Sequence, residues 1–168
     1  MKKIYTLSMI VILFAVCTMR LHGQTAQSGL NQVELMKQFI GTWENATNKD
    51  TVYTAEIKPF GNGGLEFALK SVANGKVWLE EKQLWGYDKK NDKVICAGIM
   101  KGSPNIMLQS AWFTEKNKFK QVPLEFASNP EKAGFIVLFD LKSPDLVIRE
   151  EIVNNKSLGK ETYTRIKN

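Results

Sequence analysis

Phe39-Ile40-Gly41-Thr42-Trp43-Glu44 is where this sequence changes character. Before it, Leu30, Val33, Leu35, Met36 and Phe39 are apolar at close to a 3.6-residue period, which predicts one amphipathic helix over residues 30–39. Asn31 followed by Glu34 has the spacing of an N-cap with a reciprocal acid. After it, turn signals recur about every eight to twelve residues as far as the last residues, the spacing of an all-β sandwich or barrel.

The strands follow from alternation. Tyr53, Ala55 and Ile57 share one face of a segment over 51–59, and Leu65, Phe67 and Leu69 alternate with Glu66, Ala68 and Lys70. Asn74-Gly75 between them and the next segment is the strongest hairpin signal, because a type I′ turn needs positive φ at both central positions. Further strands are expected over 77–87, 93–100, 106–115, 119–127, 135–141, 146–153 and 160–166. With Trp43 opening the first, that makes ten. Short connections make sequence neighbours spatial neighbours, hence an up-and-down topology. Closure into an antiparallel β-barrel removes the two long edges that an open sheet would leave, with a β-sandwich as the alternative. Bulges are expected at Asn62-Gly63-Gly64, Gly98 and Pro123.

The first residues read as an address. Lys2 and Lys3, an apolar run over 4–18, then Gly23 ahead of a polar stretch make the pattern of a secretory signal peptide over 1–23, followed by a disordered leader over 24–29 and one domain over 30–168. The apolar run is shorter than the roughly 20 residues a spanning helix needs. Lipoprotein anchoring through Cys17 is disfavoured, since Val16 rather than a small residue precedes it. The expected location is secreted or periplasmic.

Cleavage there removes the only histidine, His22, and one of two cysteines, leaving Cys96 alone. Stability must then come from the core rather than a disulfide, and a domain of about 150 residues buries roughly 70% of its unfolded surface. Loss of Lys2, Lys3 and Arg20 takes the net charge from +6 to +3. The remaining lysines scatter through turns and form no basic stripe with interleaved aromatics, so no nucleic-acid partner is expected. Without histidine, Ser-His and Cys-His nucleophile pairs and a histidine-held haem are excluded. Clustered zinc ligands and a phosphate-cradling glycine loop are missing too, so no metal and no cofactor is implied.

Binding chemistry is better supported. In the segment over 77–87, Leu79, Glu81, Gln83, Trp85 and Tyr87 share one face. A mostly apolar face carrying an acid and an amide suits a cavity wall, where a few polar groups orient an apolar ligand. Mixed faces recur at Met107, Gln109, Ala111 and Phe113, and at Ile148, Glu150 and Ile152. The competing reading puts the polar residues in water and the aromatics at the barrel ends. In the doublets Glu80-Glu81 and Glu150-Glu151, one acid of each must point inward, so two carboxylates could meet across a cavity and support an acid/base enzyme. Cys96 reads as a small buried hydrophobe.

Gly41, Trp43 and Arg165, with Trp85-Gly86-Tyr87-Asp88 before a turn, carry a resemblance to the lipocalin-like and calycin family of ligand-binding barrels, particularly the small bacterial lipocalin-like domains. The resemblance spans about 30–167. It implies a helix at the barrel end beside the first strand and a late arginine packed over the tryptophan to close the floor. The expectation is an exported binder of a small, largely apolar molecule, lined by Phe67, Leu69, Trp85, Tyr87, Phe113 and Phe139 and oriented by Glu81, Gln83 and Gln109. The alternatives are a solid barrel acting as a cell-envelope protein-interaction module, and a carboxylate-based enzyme.

Overall fold

The computed structural model describes residues 29–48 and 50–167; the expected signal peptide, and all of the leader but Gly29, lie outside them. The strands are β1 (Gly41–Asn48), β2 (Thr51–Phe60), β3 (Gly64–Ala73), β4 (Lys76–Asp88), β5 (Lys93–Met100), β6 (Ile106–Glu115), β7 (Lys118–Pro123), β8 (Phe135–Ser143), β9 (Leu146–Val153) and β10 (Lys156–Arg165). Each pairs antiparallel with its sequence neighbour, and β1 also pairs with β10, so the sheet closes. This is the up-and-down barrel rather than the sandwich, and it is compatible with a calycin-like fold.

Turn chemistry sets the register. Asn74 and Gly75 both have positive φ, 49° and 72°, as the I′ turn between β3 and β4 requires. A second such turn is Asn154-Asn155, with φ of 49° and 63°. It starts β10 at Lys156, earlier than the loop expected over 154–159. β7 ends at Pro123, short of the expected Ala127, because proline has no N–H to continue the ladder. Short 3-10 turns follow at Leu124–Phe126 and Pro130–Lys132. There Phe126, Ala133 and Ile136 pack with Trp112 and Val122 in a second apolar cluster. The ladder runs regularly past Gly98. Register shifts fall instead at Asn45/Asn48, Ser71/Val72, Phe113/Glu115, Leu141/Ser143 and Ser157/Lys160.

One end of the barrel is plugged. The helix α1 (Gln32–Met36) is shorter than expected and runs into a 3-10 turn over Lys37–Phe39. Asn31 caps it by accepting from the Glu34 amide at 3.2 Å, while the Glu34 side chain turns to Lys37 rather than back to the cap. Gln32 behaves like a strand partner. Its amide accepts from Phe113 N at 2.7 Å and donates to Phe113 O at 3.3 Å. Gln38 donates to Lys116 O at 3.0 Å. Thus two glutamines tie the helical segment to β6 and the β6–β7 turn. Phe39 then sits among Trp85, Phe113, Phe119 and Phe139, with ring centroids 5.2–5.9 Å away.

The floor closes at the β1–β10 seam. Trp43 is opposite Arg165 in register, and the guanidinium carbon lies 4.1 Å from the indole centroid. Arg165 also donates to the carbonyls of Pro144, at 2.8 Å, of Gln38, at 3.0 Å, and of Ile40. Trp43 Nε1 donates to Phe39 O at 2.7 Å. Gly41 has φ of 134°, and a Cβ there would collide with the Arg165 guanidinium. Gly41 therefore supplies both a backbone angle and the space for the arginine.

Candidate functional site: a half-polar barrel cavity

Above Phe39 and Trp43 lies a cavity of about 370 Å³. Strand pleating puts alternate residues on its wall. From β2 come Tyr53, Ala55 and Ile57; from β3, Phe67 and Leu69; from β4, Leu79, Glu81, Gln83 and Trp85. Met100, Met107, Gln109, Gln121, Phe135, Val137 and Phe139 continue the wall through β5–β8, and Val147, Arg149, Glu151, Glu161 and Tyr163 complete it from β9 and β10.

Of the residues expected to line the cavity, Phe67, Leu69, Glu81, Gln83, Trp85, Gln109 and Phe139 do so. Tyr87 and Phe113 do not. Tyr87 lies at the end of β4, is 38% exposed, and donates to Asp92 Oδ1 in the following turn at 2.8 Å. Phe113 belongs to the plug, its ring tilted against Phe119 with centroids 4.8 Å apart, and is held by Gln32. The expected inward face of β9, Ile148-Glu150-Ile152, is absent from the wall; Val147, Arg149 and Glu151 are on it. Sequence reasoning thus missed Arg149, Glu151, Glu161, Tyr163, Gln121 and Tyr53.

The wall has two characters. Trp85 stacks between Phe67 and Phe119, with centroids 5.8 and 5.7 Å away, and forms the apolar side with Leu69, Phe139 and Ile57. Along β4 a hydrogen-bonded chain runs outward from the same indole. Trp85 Nε1 donates to Gln83 Oε1 at 2.7 Å, and Gln83 Nε2 donates to Glu81 Oε1 at 2.6 Å. Gln121 donates to Gln109 at 2.6 Å. On β9–β10, Arg149 donates to Glu161 at 2.7 Å and to Glu151, while the Tyr163 hydroxyl donates to Glu161 at 3.2 Å.

The electrostatics of the two polar sets differ. Burial works against the Arg149 charge, but Glu151 and its other acidic neighbours more than offset it and hold its pKa above the ordinary arginine value. The Tyr163 phenol is pushed up, first by burial and then by Glu161. Glu81 is only 8% exposed. Burial raises its carboxyl above the usual value, and the Gln83 hydrogen bond and the Arg149 charge pull back without cancelling that. Cys96 is buried, with its thiol pushed up by that burial, which leaves it unreactive.

Gly98 explains how the β4 chain fits. It lies opposite Gln83 in the β4–β5 ladder. A Cβ at this position would meet Gln83 Cγ at 2.8 Å and Glu81 Oε1 at 3.1 Å. The glycine is required for space rather than for the bulge expected there. Among the described residues no group of His, Cys, Asp and Glu is arranged to hold a metal ion, and no helix is long and apolar enough to cross a membrane. No family model and no curated protein matches the chain.

Proposed function

We propose that this chain is an exported, lipocalin-like carrier that holds a small molecule in the barrel cavity. The observation that supports it is a 370 Å³ space with aromatic rings on one side and hydrogen-bonding side chains on the other. That volume falls in the range of about 300–1,000 Å³ typical of small-molecule sites. A ligand body would gain affinity by desolvation against Phe67, Leu69, Trp85 and Phe139, at about 25 cal/mol per Å² before the costs of binding. Glu81, Gln83 and Gln109 would fix its orientation. Export rests on the sequence over 1–23, and N-terminal sequencing of the exported protein should begin at Gln24.

The test is native mass spectrometry of protein purified without detergent, with a fatty-chain ligand panel followed by tryptophan fluorescence. Leu69→Trp, which puts bulk into the cavity from β3, should abolish any adduct and any response while leaving circular dichroism intact. An unliganded mass with no fluorescence response to the panel would remove the reading.

A second reading is a protein-interaction module. Leu84, Ile99, Ile106 and Leu108 are exposed large hydrophobics, and the ladder sets Ile99 against Ile106 on adjacent strands β5 and β6. Self-association in sedimentation velocity that Ile99→Lys abolishes would favour it. The carboxylate-enzyme reading draws on Glu81 and Glu151, which both line the cavity. It requires turnover of a substrate that Glu81→Gln removes.

A further inference from the structure

We propose that the cavity selects an amphipathic cation, an apolar body carrying a protonated amine, with Glu81 as its counter-ion. This rests on the carrier reading and adds the chemical class of the ligand.

Charge is unevenly distributed on the wall. Among the described residues three carboxylates line it, Glu81, Glu151 and Glu161, against one basic side chain, Arg149. An arginine in a cavity is ordinarily the fork that grips a ligand carboxylate or phosphate. Here both sides of the guanidinium are already engaged by Glu151 and Glu161, and Glu161 takes the Tyr163 hydroxyl besides. An anionic ligand would have to break an ion pair within the wall and then lie among three acids.

Glu81 is in the opposite situation. Among the described residues it forms no ion pair, and its one side-chain hydrogen bond comes from Gln83. Across the ladders its neighbours are Leu69 on β3 and Met100 on β5, neither of them a donor, and Arg149 is the charged group that acts on it from the far wall. The donors of the β4 chain all run one way, from Trp85 to Gln83 to Glu81. The chain therefore ends in an acceptor with unused lone pairs. Gly98 keeps the space that this arrangement occupies. An ammonium satisfies such an acceptor with three donors and a compensating charge, while Leu69, opposite Glu81, and Phe67, opposite Gln83, give an alkyl chain an apolar wall on β3.

The experiment compares decylamine, decanol and decanoate, equal in chain length, by calorimetric titration of the full chain at neutral pH. A charge-assisted hydrogen bond separates partners by roughly tenfold or more. The expected order is amine tightest by at least about tenfold, then alcohol, then acid. Glu81→Gln should bring the amine-to-alcohol ratio close to one. Glu80→Gln, an exposed acid paired with Lys101, should keep it. Circular dichroism verifies that both variants are folded. A preference for decanoate, or an amine preference that survives Glu81→Gln, overturns the inference. Binding of decanol with no advantage for the amine overturns the cation and leaves the carrier standing. No binding of any of the three overturns both.

Discussion

Gly98 and Gln83 face each other across the β4–β5 ladder, and the absence of a side chain at 98 is what lets the Gln83 amide reach Glu81. Gly98→Ala places a methyl group 2.8 Å from Gln83 Cγ, inside van der Waals contact. Gln83 must move, and its bonds to Trp85 and Glu81 move with it. Overpacking of this kind costs about 1–3 kcal/mol. The expected outcome is a lower urea midpoint together with weaker ligand binding, measured on the same preparation. Unchanged binding would mean that the β4 chain does not orient the ligand.

Arg165 should be among the costlier polar positions. It stacks on Trp43 and donates to three backbone carbonyls that belong to the β8–β9 turn and to the helical segment. Arg165→Ala leaves those carbonyls without their donor, and a loss of about 3 kcal/mol is expected from the charged hydrogen bonds and the cation–π contact together. Arg165→Lys should recover less than half, because an ammonium lacks the fork that reaches three acceptors. Equilibrium urea unfolding of the two variants checks both statements.

Phe39 should be the costliest residue of the plug. It touches four aromatic rings that come from β4, β6, β7 and β8. Phe39→Ala removes the shared partner and is expected to cost about 3–5 kcal/mol. Phe39→Leu keeps most of the volume and should recover over half. Thermal denaturation gives the comparison.

Glu81 ties stability to pH. Burial raises its folded-state pKa above the unfolded value of 4.5. Such a group favours the fold most below its unfolded pKa, and that contribution is lost as pH rises through the folded pKa. Urea midpoints of wild type and Glu81→Gln should therefore diverge as pH rises above 4.5, with the variant becoming relatively more stable. A saturating alkylammonium should close that gap, because a bound cation favours the ionised carboxylate. Parallel pH profiles for the two proteins would show that Glu81 titrates alike in both states.

The fold was legible because it rests on local signals. Alternation in β2 and β3, Asn74-Gly75 in the turn, and polar punctuation elsewhere each specify one strand or one hairpin, and short hairpins dictate the order. The β4 side of the site was legible for the same reason, since Trp85 and Glu81 mark one face against Lys82 on the other. β9 gave no such contrast. Leu146-Val147-Ile148-Arg149-Glu150-Glu151-Ile152-Val153 has apolar residues and charges on both faces, so parity could not be read from it. Its true face is fixed by pairing with β8, where Val137 and Phe139 stand opposite Glu151 and Arg149. Phe113 and Tyr87 have the right parity but the wrong height, and height depends on where Phe39 plugs the barrel.

The β1–β10 seam also dictates an order of events during synthesis. Trp43 emerges early and Arg165 last of the pairs that close the barrel. Until β10 appears, β1 and β9 each present an unpaired edge, and the floor lacks its arginine. A chain that lacks β10 cannot close the ring, so any sheet it forms keeps two edges that need shielding from outside against aggregation. A ribosome stalled just before Lys156 would release a chain with nine strands and no ring.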